Sequence, residues 1–190
     1  MRELIPKGHE TADQRGSDQP VRAPRVTIRR ACPSDLQAIQ ALNRQFALAE
    51  GTLDAMDASE TDWRHDLFGP APKYTIFLAD RAGTVLGLMV LSERFSLGQN
   101  RPVLHVNNVF VAPECRSRGI GRALLARAAQ EAICREARFI ELGALKHSRA
   151  RPLYAKAGFA QVDNYLIYVL AGSALSRLAA TIHAVADFIS

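Results

Sequence analysis

From 109 to 125 the chain reads VFVAPECRSRGIGRALL: an apolar, β-branched run, a short loop, then the start of an amphipathic helix. Small residues at Ser117, Gly119 and Gly121 let backbone N–H groups converge on one ligand with no side chain in the way. The first helical turn adds its partial positive charge. Arg116, Arg118 and Arg122 flank these positions, and between 116 and 151 nine Lys or Arg stand against three Glu. The pattern suits a pyrophosphate held by backbone donors and arginines. Two other phosphate loops do not fit: a dinucleotide fingerprint needs a third glycine where Leu124 stands, and no Gly-Lys-Ser/Thr follows for a P-loop. A Gly-x-Gly alone is also an ordinary tight strand-to-helix connection, so a second signal is needed.

That signal lies downstream, in Ala150-Arg151-Pro152-Leu153-Tyr154-Ala155-Lys156-Ala157-Gly158-Phe159. Arg116-Ser117-Arg118-Gly119-Ile120-Gly121 resembles the R/Q-x-x-G-x-G/A acyl-coenzyme A loop of the GNAT N-acetyltransferase superfamily, and residues 109–114 look like the strand that precedes it. The later segment is similar to that family's A-x-x-L/F-Y-x-x-x-G-F. The resemblance covers residues 26–170. It implies a mixed α/β (α+β) fold with a central, mostly antiparallel sheet of six to seven strands flanked by helices, to which this chain adds an extra C-terminal helix.

The implied reaction is transfer of an acetyl group from acetyl-CoA to a primary amine by direct attack, with no metal. Residues 116–122, Ile120 included, would hold the coenzyme phosphates. By the resemblance, the strand through Val109, Phe110 and Val111 splays from a parallel neighbour and offers free backbone groups to the pantetheine amides, as an added strand would. A backbone N–H near Phe110 or Val111 would then stabilise the oxyanion. Tyr154 stands at the family's general-acid position, where its phenol would protonate the departing thiolate; a core aromatic on a short helix is the plain alternative.

The pattern departs from the family at the base. Many relatives carry glutamate where Asn107 stands, and an amide cannot accept the amine's proton, although it can orient substrate or a water. His105 shares a strand face with Asn107 by alternation and is the candidate base, directly or through water. Glu93 and Glu141 are weaker candidates, and an amine with some neutral fraction needs no dedicated base. His147 stands where relatives often place a coenzyme-contacting asparagine. Cys115 receives no role. Between 50 and 66, six acids face only Arg64, in the connection that helps wall the family's acceptor site, so a small cationic amine, polyamine-like or aminoglycoside-like, is attractive; solvated helix ends explain the same acids. Tyr165 and Tyr168 line the same site or simply pack.

The elements that must position these groups follow from periodicity. A strand at 26–30 leads into a helix capped by Ser34 with apolar period Leu36, Ile39, Leu42, Phe46, and a second helix lies within 58–68. A hairpin of strands from 74 and from 85 turns at 80–83, and a third strand covers 103–111. Then come a helix at 121–136, a strand at 138–145, a helix at 149–157 and a strand over 160–170. Leu175, Leu178, Ile182, Val185 and Ile189 form a stripe on a terminal helix over 171–190, packed on the chain's own core or on a second copy in a homodimer.

The 190 residues, 48% hydrophobic and 23% charged, are enough to bury a substantial core. Residues 1–25, with five basic and four acidic side chains and three prolines, read as a flexible tail. No apolar run is long enough for a membrane span, the N-terminal stretch is not patterned as a secretory signal, and three unpaired cysteines speak against a disulfide framework. The expected setting is cytoplasmic, with neither membrane nor nucleic acid as partner: the net charge of +5 gathers at the proposed cradle, without basic-aromatic interleaving. The alternatives are acetylation of a protein lysine or N-terminus, and a catalytically silent acyl-CoA-binding module.

Overall fold

Strand β1 (Thr27–Arg30) and the turn after it show how few residues tie the start of the fold together. Arg29 donates to Asp35 at 2.7 and 2.8 Å and to Asp80 at 2.9 and 3.0 Å. Asp35 Oδ2 also accepts the Cys32 N–H at 2.8 Å, across a 3-10 turn at Pro33–Asp35 that enters helix α1 (Leu36–Glu50). Asp35, not Ser34, therefore closes this helix start, because the tighter turn brings its carboxylate back to the backbone donor. The computed structural model describes residues 25–55, 57–96, 101–163 and 169–180, and the chain divides into two compact units, Met1–Lys146 and His147–Ser190.

In the first unit, α1 and α2 (Glu60–Phe68) precede three strands, β2 (Thr75–Arg81), β3 (Thr84–Ser96) and β4 (Arg101–Val111). Ala82 and Gly83, both at positive φ, make the two-residue turn between β2 and β3. Helix α3 (Ile120–Cys134) and the short strand β5 (Ile140–Leu142) follow. The sheet runs β1-β2-β3-β4-β5, antiparallel except for the parallel pair β4/β5.

Alternation sends Ile76, Leu88 and Val90 towards α1 and α2, while Phe77 faces α3, where the Arg127 guanidinium lies 4.7 Å from its ring centroid. Leu36, Ile39, Phe77, Leu88, Met89 and Leu124 are fully buried on the two faces, so the sheet has a core on each side. Arg135, at the end of α3, donates to Glu131, Glu93 and Thr75 and fastens the helix to β2 and β3.

The second unit holds α4 (Arg151–Ala157) and α5 (Gly172–Ala180). The sheet has five strands among the described residues, against six to seven expected. In the expected strand over 160–170, residues 160–163 are not extended into a ladder and residues 164–168 lie outside the description. The expected tail, apart from exposed Arg25, lies outside it too, as do the stripe positions Ile182, Val185 and Ile189; Leu175 and Leu178 of α5 are exposed. No helix among the described residues is long and apolar enough to cross a membrane.

The hydrogen bonds from Arg29 hold the Asp35 carboxyl well below its usual range; Asp80 is lowered first by the Gly83 N–H and then by Arg29. A carboxyl with a depressed native pKa stabilises the fold fully above its unfolded pKa of about 4 and loses that contribution as pH falls below it. The melting temperature should therefore be insensitive to these two groups from pH 7 to 5 and fall below about pH 4. Arg29→Met should cost about 1–3 kcal/mol at pH 7, at the lower end because the guanidinium is one-third exposed, and should flatten the acid limb, as thermal melts of both forms across pH will show.

Candidate active site

The loop after β4 is built for backbone donors. A 3-10 turn at Pro113–Cys115 ends with Cys115 buried, and the chain then takes positive φ at Ser117 (60°) and at Gly119 (81°), the N-cap of α3. A Cβ at position 119 would meet nothing within 4 Å, so dihedral angle rather than space makes glycine the residue of choice. The first bond inside α3 runs from the Ala123 N–H to the Gly119 carbonyl at 3.0 Å. The N–H groups of Ile120, Gly121 and Arg122 therefore have no helical acceptor and project from the positive end of the helix. Arg118 and Arg122 are exposed beside them.

Arg116 behaves differently from its expected role beside the phosphates. Its Nε donates to the Val111 carbonyl at 2.9 Å and its guanidinium lies 5.4 Å from the Phe110 ring centroid. It folds back on the strand because an unpaired carbonyl and an aromatic face are both within its reach.

β4 pairs with β5 only through Leu104, His105 and Val106. Beyond Val106 the parallel partner is gone among the described residues, which is the divergence expected of this strand. On the other edge, Ala112 N–H donates to Leu86 O at 2.9 Å, and the register pairs Phe110 with Leu88 and Asn108 with Val90. Antiparallel alternation then turns the backbone groups of Phe110 towards β3 and those of Val109 and Val111 towards the open edge. The two strands approach closely here: a Cβ on Gly87 would lie 2.7 Å from Phe110 O and 3.3 Å from Val111 Cα.

Asn107 is the extra residue of a β-bulge, since Val90 pairs with Asn108 and Leu91 with Val106. The bulge turns both asparagines towards α1 and α2. Asn108 Nδ2 donates to Asn43 Oδ1 at 3.1 Å, and Asn107 Nδ2 donates to Ser92 Oγ at 2.8 Å. His105, opposite Ser92, shares this face as expected, but its Nδ1 points to Glu141 Oε1 at 3.3 Å, an oxygen that also accepts from Arg94 at 2.9 Å.

The asparagines border a cavity of about 330 Å³ between the sheet and the two helices, and His105 is not among its lining residues. Its walls come from Ile39 and Asn43 of α1, Asp62, Trp63 and Leu67 of α2, and Tyr74 and Leu88. Asp62 is held in a capping box with Ser59, and Asp66 pairs with Lys73 at 2.8 Å and His65 at 3.1 Å. These hydrogen bonds lower both carboxyls, from Ser59 in the first case and chiefly from Lys73 in the second.

In the second unit, Tyr154 is half-buried on α4, edge-on to Phe159 with ring centroids 6.1 Å apart, and His147 is exposed. Sequence reasoning passed over Asn43, Ser92 and Trp63. Asn43 had a signal: it falls four residues after Ile39, on the apolar stripe of its helix, where an amide is out of place.

The Acetyltransferase (GNAT) family pattern matches residues 36–159. Thialysine N-ε-acetyltransferase of Bos taurus is 26% identical over 166 residues, covering 81% of this chain and 97% of that protein. An uncharacterised N-acetyltransferase of Bacillus subtilis (strain 168) is 27% identical over 146 residues, covering 76% and 97%. An aminoglycoside N-acetyltransferase crystallised with CoA superposes with a TM-score of 0.64 at 17% identity over 78% of this chain and 97% of that one, a likeness of fold. With a family match across most of the β-sheet unit and the segment containing Tyr154, the chain belongs to the GNAT acetyltransferases and is an acetyl-CoA-dependent N-acetyltransferase.

Proposed function

We propose that the chain acetylates the primary amine of a small molecule that carries a positive charge in water. The observation that supports this most directly is the junction of two features on β4: an open backbone edge at Val109 and Val111, and a half-open cavity beside Asn107 and Asn108. The bovine relative, named for acetylation of thialysine, fits a small amine acceptor.

In this reading acetyl-CoA supplies the activated acyl group as a thioester. The N–H groups of Ile120, Gly121 and Arg122 hold its phosphates, with Arg118 and Arg122 adding charge, and Ser117 and Gly119 keep the loop open. The free backbone groups of Val109 and Val111 pair with the pantetheine amides, and one of these N–H groups stabilises the oxyanion. For the Val111 carbonyl to take part fully, Arg116 must release it. Phe110 contributes its buried ring, packed edge-on to Phe46 at 6.1 Å, as the support of the strand. Asn107 orients the amine or a water, His105 held by Glu141 outside the cavity lining receives the proton through a water, Tyr154 returns one to the thiolate, and His147 contacts the coenzyme.

Gly119→Glu places a carboxylate where phosphates would lie and a side chain at a left-handed φ. Calorimetry should show wild type binding acetyl-CoA in the micromolar range, about −8 kcal/mol, and the variant not binding; equal binding removes the loop from the coenzyme site. Tyr154→Phe should keep the coenzyme dissociation constant and lower kcat by about 100-fold or more, whereas an unchanged kcat would leave the residue as packing only. A pH–rate profile of His105→Ala identical in shape to wild type would take His105 out of the proton path.

A further inference from the structure

The amide of Asn107 has two partners, and their chemistry decides which way it faces. Its Nδ2 donates to Ser92 Oγ at 2.8 Å and to the His105 carbonyl at 3.4 Å. A carbonyl oxygen only accepts, so the nitrogen end of this amide must lie on that side. Asn108 is anchored the same way, its Nδ2 donating to Asn43 Oδ1 at 3.1 Å. The Oδ1 atoms of Asn107 and Asn108 accept no hydrogen bond from the described residues, and both side chains line the cavity. Two acceptor oxygens on adjacent residues are thus left for a ligand.

Ser92 holds the first of these oxygens in place. By alternation it follows Leu88 and Val90 on the face of β3 turned towards α1 and α2, and it stands opposite His105. It is half-buried and outside the cavity lining, so its hydroxyl acts on a ligand only through Asn107. Without that hydroxyl the amide would be held by the longer bond to the His105 carbonyl alone. It would then rotate and present a donor where an acceptor is needed.

We propose that, in the acetyl transfer proposed above, Asn107 and Asn108 select a primary amine by receiving its two N–H bonds on their two amide oxygens, and that Ser92 is the positioning residue for this pair. An ammonium that has lost one proton keeps two N–H bonds and gains a lone pair. With one N–H on each oxygen, the lone pair is left to face the open edge of β4, where the thioester would lie. The nitrogen bonds to the acetyl carbon as the carbon–sulfur bond breaks, one of its two protons leaves to a water, and the thiolate takes up one to give an amide and free CoA thiol. A secondary amine has a single N–H at that stage and sets its second alkyl group against the other oxygen. That oxygen loses its donor, a loss that a site built for hydrogen bonding turns into discrimination, softened here because the cavity is half open to water.

The test uses the full chain with acetyl-CoA and two amines of the same alkyl chain, n-butylamine and N-methylbutylamine. CoA thiol release gives kcat/KM for each, and emission from Trp63, the single tryptophan of the chain and part of the cavity wall, reports binding without turnover. Wild type should favour n-butylamine by about 10-fold or more in kcat/KM. Ser92→Val and Ser92→Thr have the same shape and differ by a methyl in place of a hydroxyl. Ser92→Val should lower kcat/KM for n-butylamine by about 10-fold and narrow its lead over N-methylbutylamine, while Ser92→Thr stays within about 3-fold of wild type. Both should bind acetyl-CoA with the wild-type dissociation constant, which also verifies that they are folded. Valine and threonine forms that are equally active, or equally impaired, overturn this inference, as does a wild type that acetylates both amines alike; each leaves acetyl transfer to a small amine standing. Acetyl-CoA binding with neither amine acetylated and no change in emission overturns both.

Discussion

Strand β4 cannot satisfy one partner on each edge along its whole length, and the site follows from where it stops. Up to Val106 it is an interior strand, held by β3 and by the short parallel strand β5. From Asn107 onwards the described chain gives it β3 alone. An unpaired edge inside a protein is normally costly, because buried N–H and C=O groups need partners. Here the same edge runs into a loop whose Ile120, Gly121 and Arg122 N–H groups have no helical acceptor, while Arg116 covers the Val111 carbonyl; in the function proposed above, strand edge and helix start would together offer one surface to an extended, phosphorylated ligand. The bulge at Asn107 falls at the same point. It uses the interruption in pairing to turn two amides onto the helix layer, so one irregularity adjoins both the open strand edge and the cavity beside it.

Charge is more local in this fold than its totals suggest. The six acids between 50 and 66 look alike when counted, yet on the cavity wall Asp66 is matched by Lys73, while Asp62 bonds Ser59 through one oxygen only and keeps its charge. Arg116, one of three arginines around the loop, is turned onto its own strand. Side chains at short range compete for the same charges that a ligand would use, and the near neighbour wins because holding it costs no translational entropy.

How much of this was legible in the sequence depends on the range of the interaction. Strong periodicity located α1 through Leu36, Ile39 and Leu42, and two positive-φ residues fit the hairpin turn expected at 80–83. The loop from Arg116 to Gly121 announced its backbone geometry because small residues are required there. What stayed hidden was set across the fold: Asp35 replaces Ser34 at the first helix start because Arg29 and Asp80 lie within its reach, and Asn43 becomes part of the cavity only when Asn108 arrives from the far strand. Trp63 and Tyr74 give no local sign of facing each other's space. The bulge is equally silent, since a ladder in register and a ladder with one extra residue share the same alternation on either side.

The tight approach at Gly87 has a consequence for how such a protein can drift. The residue touches neither the loop nor the cavity, and nothing in its neighbourhood resembles a motif. Yet any side chain there would press on the carbonyl of Phe110 and the backbone of Val111, displacing the very stretch of β4 whose free edge matters. Gly119, in the recognisable loop, meets no protein atom where a Cβ would stand and is restricted by the fold through its dihedral angle alone, which asparagine can sometimes adopt. The fold itself thus tolerates substitution less at the anonymous glycine than at the conspicuous one, and a survey of destabilised variants would reach the strand beside the loop as well as the loop.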